Sequence, residues 1–238
     1  MSMTKGKNQE FVIAGIDEAG RGAVIGPLVI AGISIDSRKE RALKKIKVKD
    51  SKLLTPKRRV ALAKKIEKIA KDVVVIKVDP CKIDSMRMFG TNLNRIEAVR
   101  FLDAIAFLKP HKVYIDGFDT NLEKLKKFLS KMTNGLDMVV EHEADVNYPV
   151  VSAASIIAKV ERDRQVEKLK TEYGDIGSGY PSDPRTVQWL KNWLEKNKDW
   201  PECVRKSWVT AEVLQEEKRQ LNLSAWLKKI KGNKEEPC

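Results

Sequence analysis

The sequence predicts an α/β fold with a helical C-terminal appendage. Two apolar, β-prone runs, residues 11–17 and 23–35, flank a short polar turn. From there to about residue 147, strand-like segments alternate with segments of helical period, and beyond it only helical patterns follow. With 238 residues, 42% of the chain apolar, there is material for one large domain, or for a domain plus a smaller appendage.

The elements follow in order. Residues 1–10 read as a flexible tail. Residues 11–17 form a strand, and 23–35 a second run with Gly26-Pro27 as a bulge or bend inside it. A hairpin between them puts Asp17 and Glu18 near its tip. A short helix is expected over 38–47, and a loop over 50–56. Thr55 is a good N-cap and Pro56 suits the first helical position. The helix they open, to about residue 71, carries Val60, Leu62, Ala63, Ile66, Ile69 and Ala70 at helical spacing. Residues 72–78 alternate too little for a half-exposed strand and predict a buried one. Residues 80–88 read as a loop or short helix, and 92–108 as a helix.

Residues 112–116 make a strand that ends in Asp116 and is followed by Gly117. A helix over 122–129 and a strand over 137–141 come next. A polar turn, His142-Glu-Ala-Asp145, then leads to a helix over 148–169. Its start is apolar nearly all round, which predicts burial. Residues 174–181 form a glycine-rich loop, 185–197 and 208–230 are helices, and 231–238 are expected to be disordered. No internal repeat is present.

Composition narrows the chemistry. No apolar run approaches the roughly 18 residues of a membrane span, and the N-terminus lacks the apolar stretch of a signal peptide. A soluble cytoplasmic protein is expected. Cys81, Cys203 and Cys238 are odd in number and far apart, which argues against a disulfide framework and against a cysteine zinc site. His111 and His142 are too few for a histidine-rich metal site. A bound metal would therefore be held by carboxylates, which select hard cations such as magnesium or manganese. The net charge is +13. Residues 38–71 hold 15 Lys and Arg against Glu40, Asp50 and Glu67, a net +12 in one block. Such a block favours a polyanion partner, although a lysine-rich surface of a heat-adapted protein has the same composition.

Four acids occupy equivalent places. Asp17 and Glu18 end the first strand, Asp116 ends a middle strand, and Asp145 precedes the buried helix. Ligands of open α/β sheets gather at strand ends. Carboxylates converging there raise one another's pKa, and two divalent cations about 4 Å apart resolve the repulsion. Such a pair also suits phosphodiester cleavage, one ion activating water and the other stabilising the leaving oxygen. Asp119 and Asp137 read as turn or cap residues. Gly20-Arg21-Gly22 is not a dinucleotide fingerprint, because a strand rather than a helix follows it. Its glycines either allow a sugar or phosphate to approach the backbone, or only form a tight turn.

At these residues the chain resembles ribonuclease HII in its archaeal form, over roughly residues 11–210. The resemblance rests on Gly15-Ile-Asp-Glu-Ala-Gly-Arg-Gly22 with Gly26-Pro27, Asp50-Ser-Lys52, Asn92-Leu-Asn-Arg-Ile-Glu-Ala98 and Tyr114-Ile-Asp116. It continues through Ala144-Asp145, Tyr148-Pro-Val-Val-Ser-Ala-Ala-Ser-Ile-Ile-Ala-Lys159 and Gly177-Ser-Gly-Tyr-Pro181. It implies a ribonuclease H-like mixed sheet flanked by helices. The catalytic domain would span 11–172, a helical C-terminal region 173–230. The implied activity cuts RNA in RNA/DNA hybrids, and 5′ of ribonucleotides embedded in duplex DNA, leaving 5′-phosphate and 3′-hydroxyl ends.

By the same resemblance Asp17, Glu18, Asp116 and Asp145 are the catalytic, metal-binding acids for two Mg2+ or Mn2+ ions. Gly20, Arg21 and Gly22 read the 2′-hydroxyl through backbone groups. Tyr180 stacks at the RNA–DNA junction, and Ser51 and Lys52 match a phosphate-contacting segment. The family often has lysine two residues before the fourth acid, where this chain has Glu143. A monomer is implied. Rival readings are a different nuclease on the same fold, such as a junction-resolving or DNA-directed enzyme, and a basic hybrid-binding protein without catalysis.

The C-terminal Gln220-Leu-Asn-Leu-Ser-Ala-Trp-Leu227 resembles the box by which replication proteins dock on the sliding clamp. Gln220 would fill a polar pocket, with Leu223, Trp226 and Leu227 as an apolar plug. The same spacing also fits the buried face of a helix.

Overall fold

In the computed structural model of the chain, residues 10–46, 48 and 54–232 are described. The strands are β1 (Val12–Ala19), β2 (Leu28–Asp36), β3 (Asp72–Val78), β4 (Lys112–Asp116) and β5 (Asp137–Glu141). Among the described residues they form one sheet of order β3-β2-β1-β4-β5. β1 and β2 are the expected antiparallel hairpin, with Asp17 opposite Ala31 and Glu18 opposite Ile30. β4 runs parallel to β1, and β5 parallel to β4. The C-terminal ends of β1, β4 and β5 therefore share one end of the sheet.

The helices are α1 (Glu40–Lys45), entered through a 3-10 turn at Ser37–Lys39, α2 (Pro56–Ile69), α3 (Pro80–Met88), α4 (Leu93–Leu108) and α5 (Leu122–Met132). They continue with α6 (Ala144–Asn147), α7 (Pro149–Tyr173), α8 (Pro184–Lys196) and α9 (Val209–Gly232). Local chemistry starts several of them where the sequence predicts. The Thr55 side chain accepts from Arg58 N with Pro56 in the first turn of α2. The Asn92 side chain likewise accepts from Arg95 N at α4. Residues 80–88 are helical, α5 runs on to Met132, and the polar turn at 142–145 yields the short helix α6.

α4 covers one face of the sheet and α7 the other, giving two apolar clusters. α2 packs on the outside of α7. The α7 start is buried as expected, from Pro149 to Ala158 without a break. Gly15 explains how closely it sits: a Cβ there would lie 2.4 Å from the Val150 carbonyl carbon and oxygen. A third cluster joins α8, α9 and the outer half of α7 to Val24 and Ile25.

Three expectations fail. β2 begins at Leu28 rather than at residue 23, so Gly26-Pro27 precede the strand instead of bending inside it. β3 is not buried; it is the sheet edge, only Val78 is fully covered, and Val75 is 37% exposed. Its unbroken valine run meets a neighbouring strand on one side only. Val60, at core spacing in α2, is 45% exposed, while Ala63 and Ile66 carry the buried stripe. Residues 1–9 and 233–238, expected to be tails, lie outside the described residues, and α9 continues through Gly232.

Candidate active site

Strand period separates two neighbouring acids. Ile13 and Ala19 belong to the cluster under α7, Ala14 and Ile16 to the cluster under α4. Asp17 therefore faces α7 and Glu18 faces α4. Asp116 ends β4 on the side of Asp17, and its Oδ1 accepts from Ala144 N at 3.0 Å, which ties α6 to the strand end. Asp145 is buried in that helix, and its carbonyl accepts from the Ser152 hydroxyl. Ligand oxygens of Asp17, Asp116 and Asp145 lie within 4.8 Å of one another. The expected group of four thus resolves into three gathered aspartates and one glutamate on the opposite face.

The cluster is electrostatically strained. Burial, and then the charge of Asp116, push the Asp17 carboxyl up to about 7 from its usual 3.8, against a hydrogen bond from Ser155 and the charge of Lys159. Burial, then Asp17, Glu97 and Asp116, raise Glu18 well above the ordinary range, with Arg21 opposing. Oε2 of Glu18 is buried without a hydrogen-bond partner. Converging oxygen donors and a carboxyl whose charge its surroundings oppose fit a hard divalent cation, and the orphaned Glu18 oxygen lies on the other face of the same strand end.

The glycine turn is braced from beneath. Arg21 Nε donates to Glu97 Oε2 at 2.8 Å and Nη2 to Asn94 Oδ1 at 2.5 Å. Its guanidinium also lies 5.6 Å from the Phe118 ring centroid. The side chain of Arg21 thus braces the turn against α4, and the motif Asn92-Leu-Asn-Arg-Ile-Glu-Ala98 supplies its partners. Gly22 is exposed, and a Cβ on it would meet nothing within 4 Å, so its lack of a side chain leaves the backbone open.

Two buried arginines that motif reading passed over complete the site. Arg205 donates to the carbonyls of Gly20, Arg21 and Gly26 at 2.7, 2.8 and 3.0 Å. Arg162 donates to Ile25 O at 2.8 Å, and its guanidinium lies 5.7 Å from the Tyr180 ring. Neither has a local signal in a chain with 46 Lys and Arg. The Tyr180 loop is joined to the turn directly, since Gly179 O accepts from Val24 N and Ile25 N at 2.9 and 3.1 Å. Half-buried Tyr180 borders a groove of about 390 Å³ beside Ala19, which Arg59, Lys159, Arg162, Lys170 and Arg185 also line.

Ser51 and Lys52 lie outside the described residues. Glu143 is exposed at the start of α6 with φ of 55°. Asp119 Oδ1 accepts from Asn121 N, the expected turn role. Asp137 opens β5 and pairs with Lys112 at 3.1 Å. In α9, Gln220 and Leu223 are exposed, Leu223 at 56%, rather than packed in a core. Trp226 and Leu227 continue the helix, and their side chains are outside the described part.

A mixed sheet with carboxylates gathered at its strand ends, beside a cationic groove, defines a nuclease of the ribonuclease H-like class. A family model for ribonuclease HII matches residues 14–211. A ribonuclease HII of Pyrococcus abyssi is 46% identical over 225 residues, covering 92% of this chain and 99% of that protein. The crystal structure of the ribonuclease H2 from Pyrococcus horikoshii OT3 superposes with a TM-score of 0.82 at 44% identity, covering 88% and 99% of the two chains. The RNase HII in a PCNA:RNase HII complex from Archaeoglobus fulgidus gives 0.79 at 48% identity, covering 85% and 96%. The chain belongs to the ribonuclease HII family, whose members are endonucleases that hydrolyse RNA in RNA/DNA hybrids. No described helix is long and apolar enough to cross a membrane.

Proposed function

We propose that the chain cuts both the RNA strand of RNA/DNA hybrids and the phosphodiester 5′ of a ribonucleotide embedded in duplex DNA, leaving 5′-phosphate and 3′-hydroxyl ends. The observation that carries this is the gathering of Asp17, Asp116 and Asp145 within 4.8 Å, a short chain step from an open glycine turn. These aspartates, with Glu18, would hold two ions of magnesium or manganese. Such ions supply an activated water and charge stabilisation at the leaving oxygen. Gly20, Arg21 and Gly22 present backbone groups to the 2′-hydroxyl, which alone separates ribose from deoxyribose at one position. Tyr180 lies against the sugar or base at the junction. The groove cations Arg59, Lys159, Lys170 and Arg185, with Ser51 and Lys52, take the phosphates.

The role is primer removal and ribonucleotide excision, carried out in the cytoplasm by a monomer. Its catalytic domain is 11–172 and its helical region 173–230. One assay tests the reading: a DNA duplex with a single ribonucleotide, incubated with magnesium or manganese. Cleavage 5′ of the ribonucleotide, abolished in Asp17→Asn, is the expected result. Cleavage of an all-DNA duplex would favour a DNA-directed nuclease, and binding without cleavage a non-catalytic hybrid binder.

A second function rests on the C-terminal box. Exposure of Gln220 and Leu223 favours docking on a sliding clamp over a buried helix face. The relative from Archaeoglobus fulgidus whose complex with PCNA is solved supports the same reading.

A further inference from the structure

Arg205 is a fully buried cation whose guanidinium hydrogen bonds end on backbone carbonyls rather than on a carboxylate. Burying a charge this way costs free energy unless its donors are well placed. The planar fork reaches three carbonyls at 2.7–3.0 Å, and two of them, on Gly20 and Arg21, are consecutive. A trans peptide unit carries its C=O and the following N–H on opposite sides. Drawing Gly20 O and Arg21 O toward Arg205 therefore turns the N–H groups of Arg21 and Gly22 the other way. That leaves two successive donors aligned, the arrangement that receives an electronegative oxygen.

Arg162 does related work one step along. It holds Ile25 O at 2.8 Å, and Ser178 O at 3.4 Å in the loop that bears Tyr180. The strand of contacts closes where Arg205 N donates to Val24 O and Gly26 N to Cys203 O, both at 2.8 Å. Trp208, with its ring 4.6 Å from the Arg205 guanidinium, covers the outer side.

We infer that Arg205, seconded by Arg162, is the positioning residue for ribose selectivity: it orients the two peptide units from Gly20 to Gly22 so that the N–H groups of Arg21 and Gly22 meet the 2′-hydroxyl. The inference rests on the function proposed above. It assigns selectivity to a residue that touches no substrate and comes from the C-terminal helical region. Lysine cannot replace it, because a single ammonium lacks the fork that reaches three carbonyls.

The test uses the full chain with Arg205→Lys and Arg162→Lys, and two duplexes of one sequence, one holding a single ribonucleotide and the other all DNA. Affinities are measured in EDTA and single-turnover cleavage in magnesium. A turn displaced by an ångström costs about 10²-fold in rate, and a loss of that order is expected for Arg205→Lys. Its preference in affinity for the ribonucleotide duplex should collapse toward one, while affinity for the all-DNA duplex stays within about twofold, because phosphate contacts are untouched. Arg162→Lys should show a smaller fall in the same ratio, and it carries the test if Arg205→Lys gives no cooperative melt. A variant that keeps the parent's ratio overturns the inference, as does an equal loss on both duplexes. A parent chain that neither cleaves nor prefers the ribonucleotide duplex overturns the proposed function, and this inference with it.

Discussion

Arg21 donates to Glu97 at 2.8 Å from beneath the glycine turn, onto a carboxylate side chain with no exposed surface. The pair anchors the turn to α4. Oε1 of Glu97 has no hydrogen-bond partner, so the carboxylate depends on this arginine. Arg21→Ala should lower stability by about 1–3 kcal/mol, the cost of leaving a buried acceptor unsatisfied, moderated because the arginine side chain is itself 35% exposed. Urea denaturation at constant pH measures it. Unchanged midpoints would remove the anchoring role.

The aspartate cluster makes a prediction about pH. The Asp17 carboxyl sits at about 7 in the folded chain against a usual 3.8, chiefly through burial. The folded state therefore holds a proton that the unfolded state releases. This contribution to stability is fully present below about 3.8 and is lost as pH rises through about 7. In EDTA the parent should lose melting temperature over that window relative to Asp17→Asn. Magnesium must displace the proton, so its affinity should rise by up to tenfold per pH unit below about 7. Calorimetric titration at pH 6 and 8 checks this.

Gly15 limits the approach of β1 and α7. Ala at this position places its Cβ 2.4 Å from backbone atoms of Val150, which cannot swing aside as a side chain tip can. Gly15→Ala should destabilise by about 1–3 kcal/mol or more. Because α6 and the α7 start bear on the aspartates, cleavage should fall with it. A melting temperature equal to the parent's would contradict the packing described.

The cationic flank should make binding strongly salt-dependent. Lys57, Arg58, Lys64, Lys65 and Lys68 of α2 are exposed, and Arg59 lines the groove beside Tyr180. Each of these that neutralises a phosphate adds about 0.9 to the slope of log affinity against log salt. Alanine at Arg58 or Arg59 should reduce the slope by up to about 1 and weaken binding alike for all sequences. A flat salt dependence of the parent would exclude this face.

The C-terminal box predicts a separable loss. Changing Trp226 and Leu227 together to alanine should weaken binding to a sliding clamp at least about tenfold, as removal of anchor residues does. Cleavage of a short duplex should be unaffected. Calorimetry with purified clamp measures the first and a gel assay the second.

Much of this was readable before any coordinates. Thr55 announces its helix because capping is a local hydrogen bond. The hairpin of β1 and β2 follows from two apolar runs and a turn between them. β3 misled because an unbroken valine run reports only apolarity, whereas burial depends on how many neighbours the sheet order supplies.

The chain by itself singled out the acids, the glycine turn and Tyr180, because those residues lie in recognisable motifs. Tertiary structure decided how they are placed relative to one another. Strand alternation sets Asp17 and Glu18 on opposite faces, and parallel pairing with β4 brings Asp116 to Asp17 from about 100 residues away. Arg205, distant in sequence and lacking a motif, became visible only where folding set its guanidinium against three carbonyls. Local hydrogen-bonding chemistry is written along the chain; convergence from remote segments depends on packing, which no short stretch encodes.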